Sequence, residues 1–175
     1  MPVTPYHFGP SGFVGLVFRK WLDVPVFILA NVVVDIEVLL YHQWPKHRYA
    51  HTLLIGAAVG VLWGIVAYLL RPLFKRLMNI FLLPYQTTFV KMVISGVLGV
   101  WLHVFIDAFY HWDVRLFWPT KMRPLYGLIS QRQVELTCLA FFVPAFIVYA
   151  RAAFSSVRKK RSEKKALSKI PGQIS

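Results

Sequence analysis

Long apolar runs, separated by short polar connections, set the rhythm of this chain. A hydrocarbon core ~30 Å thick needs a helix of about 20 mostly apolar residues. Four segments have that length and character: 24–41, 52–70, 87–111 and 134–154. A fifth, "SGFVGLVFRKWL" at 11–22, is too short to cross alone and reads as a half-span or interfacial helix. The pattern therefore predicts an all-α polytopic membrane helical bundle with four full spans and one short N-terminal helix. Within it, "GAAVGVLWG" sets Gly56, Gly60 and Gly64 four apart, a small-residue ridge for close helix packing. Pro144 predicts a kink in the last span.

The polar positions inside these runs carry the chemistry. In "HVFIDAFYH", His103, Asp107 and His111 recur every four residues and so share one helix face. Asp35 and Glu37 fall late in the first span. Two positions apart, they diverge by roughly 160°, so a straight helix turns only one toward a given site. Asp35 is the favoured one, with Glu37 behind it or serving as a base, or else ion-paired with Arg48 or Lys46. The connection "HQWPKHRYAH" brings His42, His47 and His51, the last two again four apart. Ionisable groups at membrane depth are costly enough to be functional by default.

Charge orients the bundle. Lys and Arg number 20 against 7 Asp and Glu, a net +13. A soluble protein with this balance would suggest nucleic acid as partner. Here 57% of residues are hydrophobic and mean hydropathy is +0.55, so the charge is better read as positive-inside bias. With the "RKKRSEKKALSK" tail in the cytoplasm, fourteen Lys and Arg fall on the inner side against six in the outer loops. That placement divides the chain into a membrane domain, 1–157, and a basic, disordered cytoplasmic tail, 158–175. "MPVTPYHFGP" lacks a positive n-region and a cleavage site, so no signal peptide is expected. The lone Cys138 lies inside the last span and reads as a buried structural thiol.

The same topology brings all six histidines, His7 included, to the outer face, together with Asp35 and Asp107. At 1.5 Å per residue, Asp35 lies ~10 Å below His42 and His103 ~12 Å below His111, so the two can meet at one level. Imidazole with carboxylate suits Zn²⁺, and also Mn²⁺ or Fe²⁺. Interfacial histidines, or a hydrogen-bonded His103–Asp107 pair, would be the purely structural alternatives. Arg48 beside the His47/His51 pair and Arg115 beyond His111 are placed to hold an anionic group.

"TPYHFGP", "VVVDIE", "HRYAHT" and "HVFIDAFYHWDVRLFWP" followed by "PLYGLIS" together resemble the YdjM-like family of small inner-membrane predicted metal-dependent hydrolases. The resemblance spans residues 2–130 and implies a helical membrane fold likened to zinc-dependent phospholipase C. By motif it implies metal ligands at His7, Asp35, His51, His103 and Asp107, with His47 and His111 as further candidates. The chain departs from the family's Pro-Asp-x-Asp at Val34-Asp35-Ile36-Glu37, and reads Ala50-His51-Thr52 where Thr-His-Ser is common.

The function expected is a membrane-embedded metal-dependent hydrolase acting on a lipid phosphoester near the outer leaflet. Water activated by the metal is the nucleophile, with Glu37 or Asp107 as proton acceptor. Membrane lipid is then both environment and substrate. One rival is a non-enzymatic membrane adaptor with a structural polar cluster. Another is a small transporter, against which stands the scarcity of acids in the inner half of the spans.

Overall fold

The computed structural model describes residues 5–40 and 45–167. A 3₁₀ turn at Pro5–His7 leads into seven helices: α1 (Phe8–Val17), α2 (Val24–Leu40), α3 (Leu53–Leu69), α4 (Arg71–Ile80), α5 (Phe89–Asp107), α6 (Gln131–Ala140) and α7 (Phe142–Leu167). No strand occurs among the described residues.

Helix starts follow local chemistry. The Thr52 hydroxyl accepts the Ile55 amide and the Thr88 hydroxyl accepts the Lys91 amide, capping α3 and α5. Ser130 and Gln133 close a capping box on α6.

α5 is the axis of the bundle, with α3 and α2 against it and α1 joining α2 to α7. Glycine makes the α3–α5 contact possible. A Cβ on Gly96 would lie 2.2 Å from the Gly60 carbonyl oxygen, and one on Gly60 would lie 2.5 Å from the Val97 Cα. On the other side of α5, a Cβ on Gly99 would lie 2.5 Å from the Phe27 carbonyl oxygen. Backbones thus touch where side chains would hold them apart.

Polar residues are gathered inside the bundle, beside an apolar core, while many large apolar side chains face outward. His7, Ser11, Asn31, Asp35, His51, His103 and Asp107 are buried, whereas Leu62, Leu69, Phe146 and Phe154 are exposed. Such an apolar outer surface suits hydrocarbon as solvent.

Span number is less clear-cut than the hydropathy runs predict. Two helical stretches, Phe89–Asp107 and Gln131–Glu163, are long and apolar enough to cross a membrane. A third crossing is available if α3 and α4, bent by 77°, count as one span. α2 has 17 residues and ends carrying Asp35 and Glu37. The reason is local: α2 gives its last turns to site residues, and α3 stops at Leu69.

Two connections are more ordered than composition suggests. Arg71, Lys75 and Arg76 lie on α4, not in a loop, because Phe74 and Met78 on the same helix are buried against the bundle. The basic stretch from Arg158 continues α7 as helix to Leu167. Lys, Arg, Glu, Ala and Leu are strong helix formers, and Lys159 Nζ lies 3.9 Å from Glu163 Oε1, one turn on. The remainder of the predicted tail, 168–175, lies outside the described residues. The last span is interrupted at Phe141, between α6 and α7. Pro144 has no N–H for the Ala140 carbonyl, which accounts for a break at that point.

Candidate metal centre

α5 supplies the central wall of the site. One turn apart and both buried, His103 and Asp107 face α2 and the 45–52 connection. His103 Nε2 lies 3.0 Å from Asp107 Oδ2 and 3.1 Å from Asp35 Oδ1. His51 Nε2 lies 3.6 Å from Asp35 Oδ1 and 3.8 Å from Asp107 Oδ2. One ligand atom each from Asp35, His51, His103 and Asp107 therefore falls within 4.8 Å of the others, all four residues being buried.

A second trio, His47, Asp107 and His111, meets the same criterion and shares Asp107 with the first. His7 enters from the other side, its Nε2 3.3 Å from Asp107 Oδ1 and its ring 4.4 Å from that of His103. Four separate segments thus converge on Asp107.

The Nδ1 atoms of His47, His51 and His103 are held in place. His51 Nδ1 donates to Glu37 Oε2 at 2.9 Å, and His47 Nδ1 donates to Asp113 Oδ1 at 3.0 Å. His103 Nδ1 donates to Asn31 Oδ1 at 3.3 Å, while the Asn31 amide donates to Ser11 Oγ and the Ile28 carbonyl. Meanwhile the Nε2 atoms of His51 and His103 are enclosed and complete no hydrogen bond. Buried nitrogens without hydrogen bonds are rare in proteins. Here both face carboxylate oxygens across a common centre, with the ring turned by a partner at Nδ1. That is the arrangement metal-bound histidines adopt. The donor set of imidazole and carboxylate fits a divalent transition metal.

Both candidate proton acceptors are fully engaged. Glu37 Oε1 accepts the Tyr49 and Ala50 amides, and Oε2 accepts the Arg48 amide besides His51. Asp107 Oδ1 accepts the Tyr110 hydroxyl at 2.9 Å, with Oδ2 against His103.

Outside the helices, electrostatics favour ligand forms. Burial lowers the His111 imidazole to about 4, against the pull of Asp107, so it is neutral. Burial works to raise Asp113, but hydrogen bonds from the His47 ring and amide more than offset it and hold the carboxyl at about 2.

Arg48 and Arg115 line a cavity of about 370 Å³ beside His47, with Arg123, Trp112 and Trp118. The Arg123 guanidinium lies 5.6 Å from the Trp112 ring centre. His42 lies outside the described residues.

Sequence reasoning passed over Asn31 and Asp113. A signal for each was present: Asn31 is one helical turn before Asp35, and Asp113 is two residues past His111.

A family model described as YdjM inner membrane protein matches residues 22–167. The chain belongs to the YdjM inner membrane protein family. This YdjM-family match takes in every residue of the site except His7 and its neighbours on α1. No curated protein and no solved structure matches the chain.

Proposed function

We propose that this YdjM-family protein is a metal-dependent hydrolase of a lipid phosphoester, working at the end of the bundle where His51, His103 and Asp107 meet. The single observation that carries the reading is the pair of enclosed Nε2 atoms on His51 and His103, aimed at Asp35 and Asp107 while their Nδ1 atoms are held.

Asp35, His51, His103 and Asp107 would hold one divalent ion, and His47, His111 and Asp107 a second, with His7 adjoining. Zn²⁺ suits these donors best, with Mn²⁺ and Fe²⁺ next. Bound there, such ions supply Lewis acidity and activate water near neutral pH.

The protein's own groups divide the remaining work. Glu37, Asn31 and Asp113 set the ring orientations. With its oxygens taken by three amides and an imidazole, Glu37 is a positioning residue rather than a base. Asp107 is a ligand shared between the two groups. Arg48, Arg115 and Arg123 surround the adjoining cavity and suit a phosphate anion, while Trp112 and Trp118 offer apolar contact to a lipid.

Four crossings with the site toward the outer face remain the preferred topology. α2 is ~26 Å long at 1.5 Å per residue, close to the hydrocarbon thickness. Basic residues concentrate at the opposite end, on α4, at the start of α5 and along the end of α7, as a cytoplasmic side would require.

The test is elemental analysis of protein purified in mild detergent, followed by assay of phospholipid hydrolysis in mixed micelles before and after chelation. Bound metal near or above one equivalent, with activity lost on chelation and restored by Zn²⁺ or Mn²⁺, is the expected result. Protein that stays folded and metal-free would favour the adaptor reading.

A further inference from the structure

The opposite end of the bundle carries a second constellation, ~24 Å from Asp107 along α5 if measured from Lys91. There the α1–α2 connection, Met78 of α4, the 83–88 connection and Lys91 of α5 line a cavity of about 660 Å³. Its chemistry is the reverse of the metal centre's. Arg19 and Lys20 on its rim are exposed and have no side-chain partner among the described residues. Lys91 is fixed at the same cavity, its Nζ donating to the Arg19 and Gln86 carbonyls at 2.9 and 3.1 Å.

The one acid there, Asp23, is buried and already satisfied. Its Oδ1 accepts the Val26 amide and its Oδ2 the Thr87 hydroxyl. Three cations therefore face one saturated carboxylate, and the excess favours an anion. The Tyr85 hydroxyl is enclosed beside Asp23 and Thr87. Burial first, and then the Asp23 charge, raise it above its ordinary value, so it stays protonated and able to donate.

Leu22 is a wall of this cavity and also of an apolar groove of about 390 Å³ between α1 and α5. Leu98 and Leu102 line the groove 7 and 11 residues past Lys91, so it reaches roughly 10–17 Å along the bundle from the charged end. α4 turns 77° away from α3 and presents Arg71, Lys75 and Arg76 on a short amphipathic helix, the form of a helix lying at headgroup depth.

A charged cavity at headgroup level, sharing a wall with an apolar groove that runs along the bundle, fits one amphiphile. We propose that this end of the protein binds an anionic phospholipid, its phosphate at Arg19, Lys20 and the Tyr85 hydroxyl and one acyl chain in the groove past Leu22. The site is separate from the metal centre and does not depend on what that centre does.

Thermal unfolding of the full chain in neutral detergent, with added lipid, tests it. Phosphatidylglycerol is expected to raise Tm by about 4 °C, and phosphatidylcholine or free glycerol phosphate by less than about 1 °C. Arg19→Gln/Lys20→Gln should lose most of the shift, and Tyr85→Phe about half. Lys160→Gln/Arg161→Gln, which removes two exposed charges at the end of α7, should keep it. The Tm of each variant without added lipid, measured alongside, should match wild type and shows that the bundle is intact. Equal shifts with both lipids, or a shift that survives Arg19→Gln/Lys20→Gln, would overturn the proposal. Loss of the shift in the α7 variant would overturn it too, and a full shift with glycerol phosphate would remove the acyl groove.

Discussion

Glu37 accepts a hydrogen bond from His51 across 2.9 Å, and that contact turns His51 Nε2 toward Asp35 and Asp107. The same carboxylate gathers the amides of Arg48, Tyr49 and Ala50, so it folds the connection that carries the histidines. Glu37→Gln keeps one acceptor oxygen but loses the charge. Metal affinity should fall ~10–100-fold, with turnover near wild type once metal is saturating. Metal titration read by competition with a chromophoric chelator, paired with kcat at excess metal, separates this role from that of a base. A base would lose kcat at any metal concentration.

His103→Ala and Asp107→Ala each remove a candidate ligand from the heart of the cluster. Bound metal should drop to below about a tenth of wild type in both, measured by elemental analysis after gel filtration. Asp107→Ala should empty both ligand groups, because it belongs to each. His111→Ala should leave the first group occupied. Unchanged metal content in the His103 and Asp107 variants would sink the site.

Arg115 lines the cavity beside His47 and is not one of the four central candidate ligands. If it holds the substrate's phosphate equally in ground and transition states, Arg115→Gln should raise KM several-fold at nearly constant kcat. Initial rates across a phospholipid dilution series in mixed micelles measure the split. A kcat loss at unchanged KM would place Arg115 in the chemistry instead.

Gly96 has no room for a side chain, since its Cβ would fall 2.2 Å from the Gly60 carbonyl oxygen. Gly96→Leu should force α3 off α5 and cost about 3 kcal/mol or more, seen as lower Tm and poor recovery from detergent. Gly127, whose added Cβ would meet nothing within 4 Å, has φ +81°, so Gly127→Ala should cost less, through backbone strain alone.

Asp113 gives a pH test with a definite sign. Its carboxyl is held at about 2, below the ordinary 3.8, so its contribution to stability is present above pH ~4. It is lost as pH falls through ~4 toward ~2, when the carboxyl protonates and releases the His47 ring and amide. Asp113→Asn should lower Tm at neutral pH and flatten its fall between pH ~4 and ~2. Parallel Tm-versus-pH curves for the two proteins would show that Asp113 does not anchor the 45–48 segment.

Residue spacing on single helices made much of this protein legible in advance. His103 and Asp107 share a face because a helix repeats every 3.6 residues, and the glycine ridge on α3 follows from the same period. The apolar runs announce helices in a membrane because a helix satisfies every backbone group within its own segment. What spacing could not decide was the order in which groups take hold of one another. Asp35 and Glu37 point to opposite sides of α2, yet both serve one site. The chain doubles back after α2, and His51 lies between them, Nε2 toward Asp35 and Nδ1 on Glu37. Asn31 and Asp113 acquire their roles only when α2, α5 and the loops close around the imidazoles. Likewise α4 falls between two predicted spans, and burial of Phe74 and Met78 against the bundle is what fixes it there. Periodicity is a property of one helix, and so the sequence determined which face each residue occupies. Partnership depends on distances between helices, and only their packing decided it.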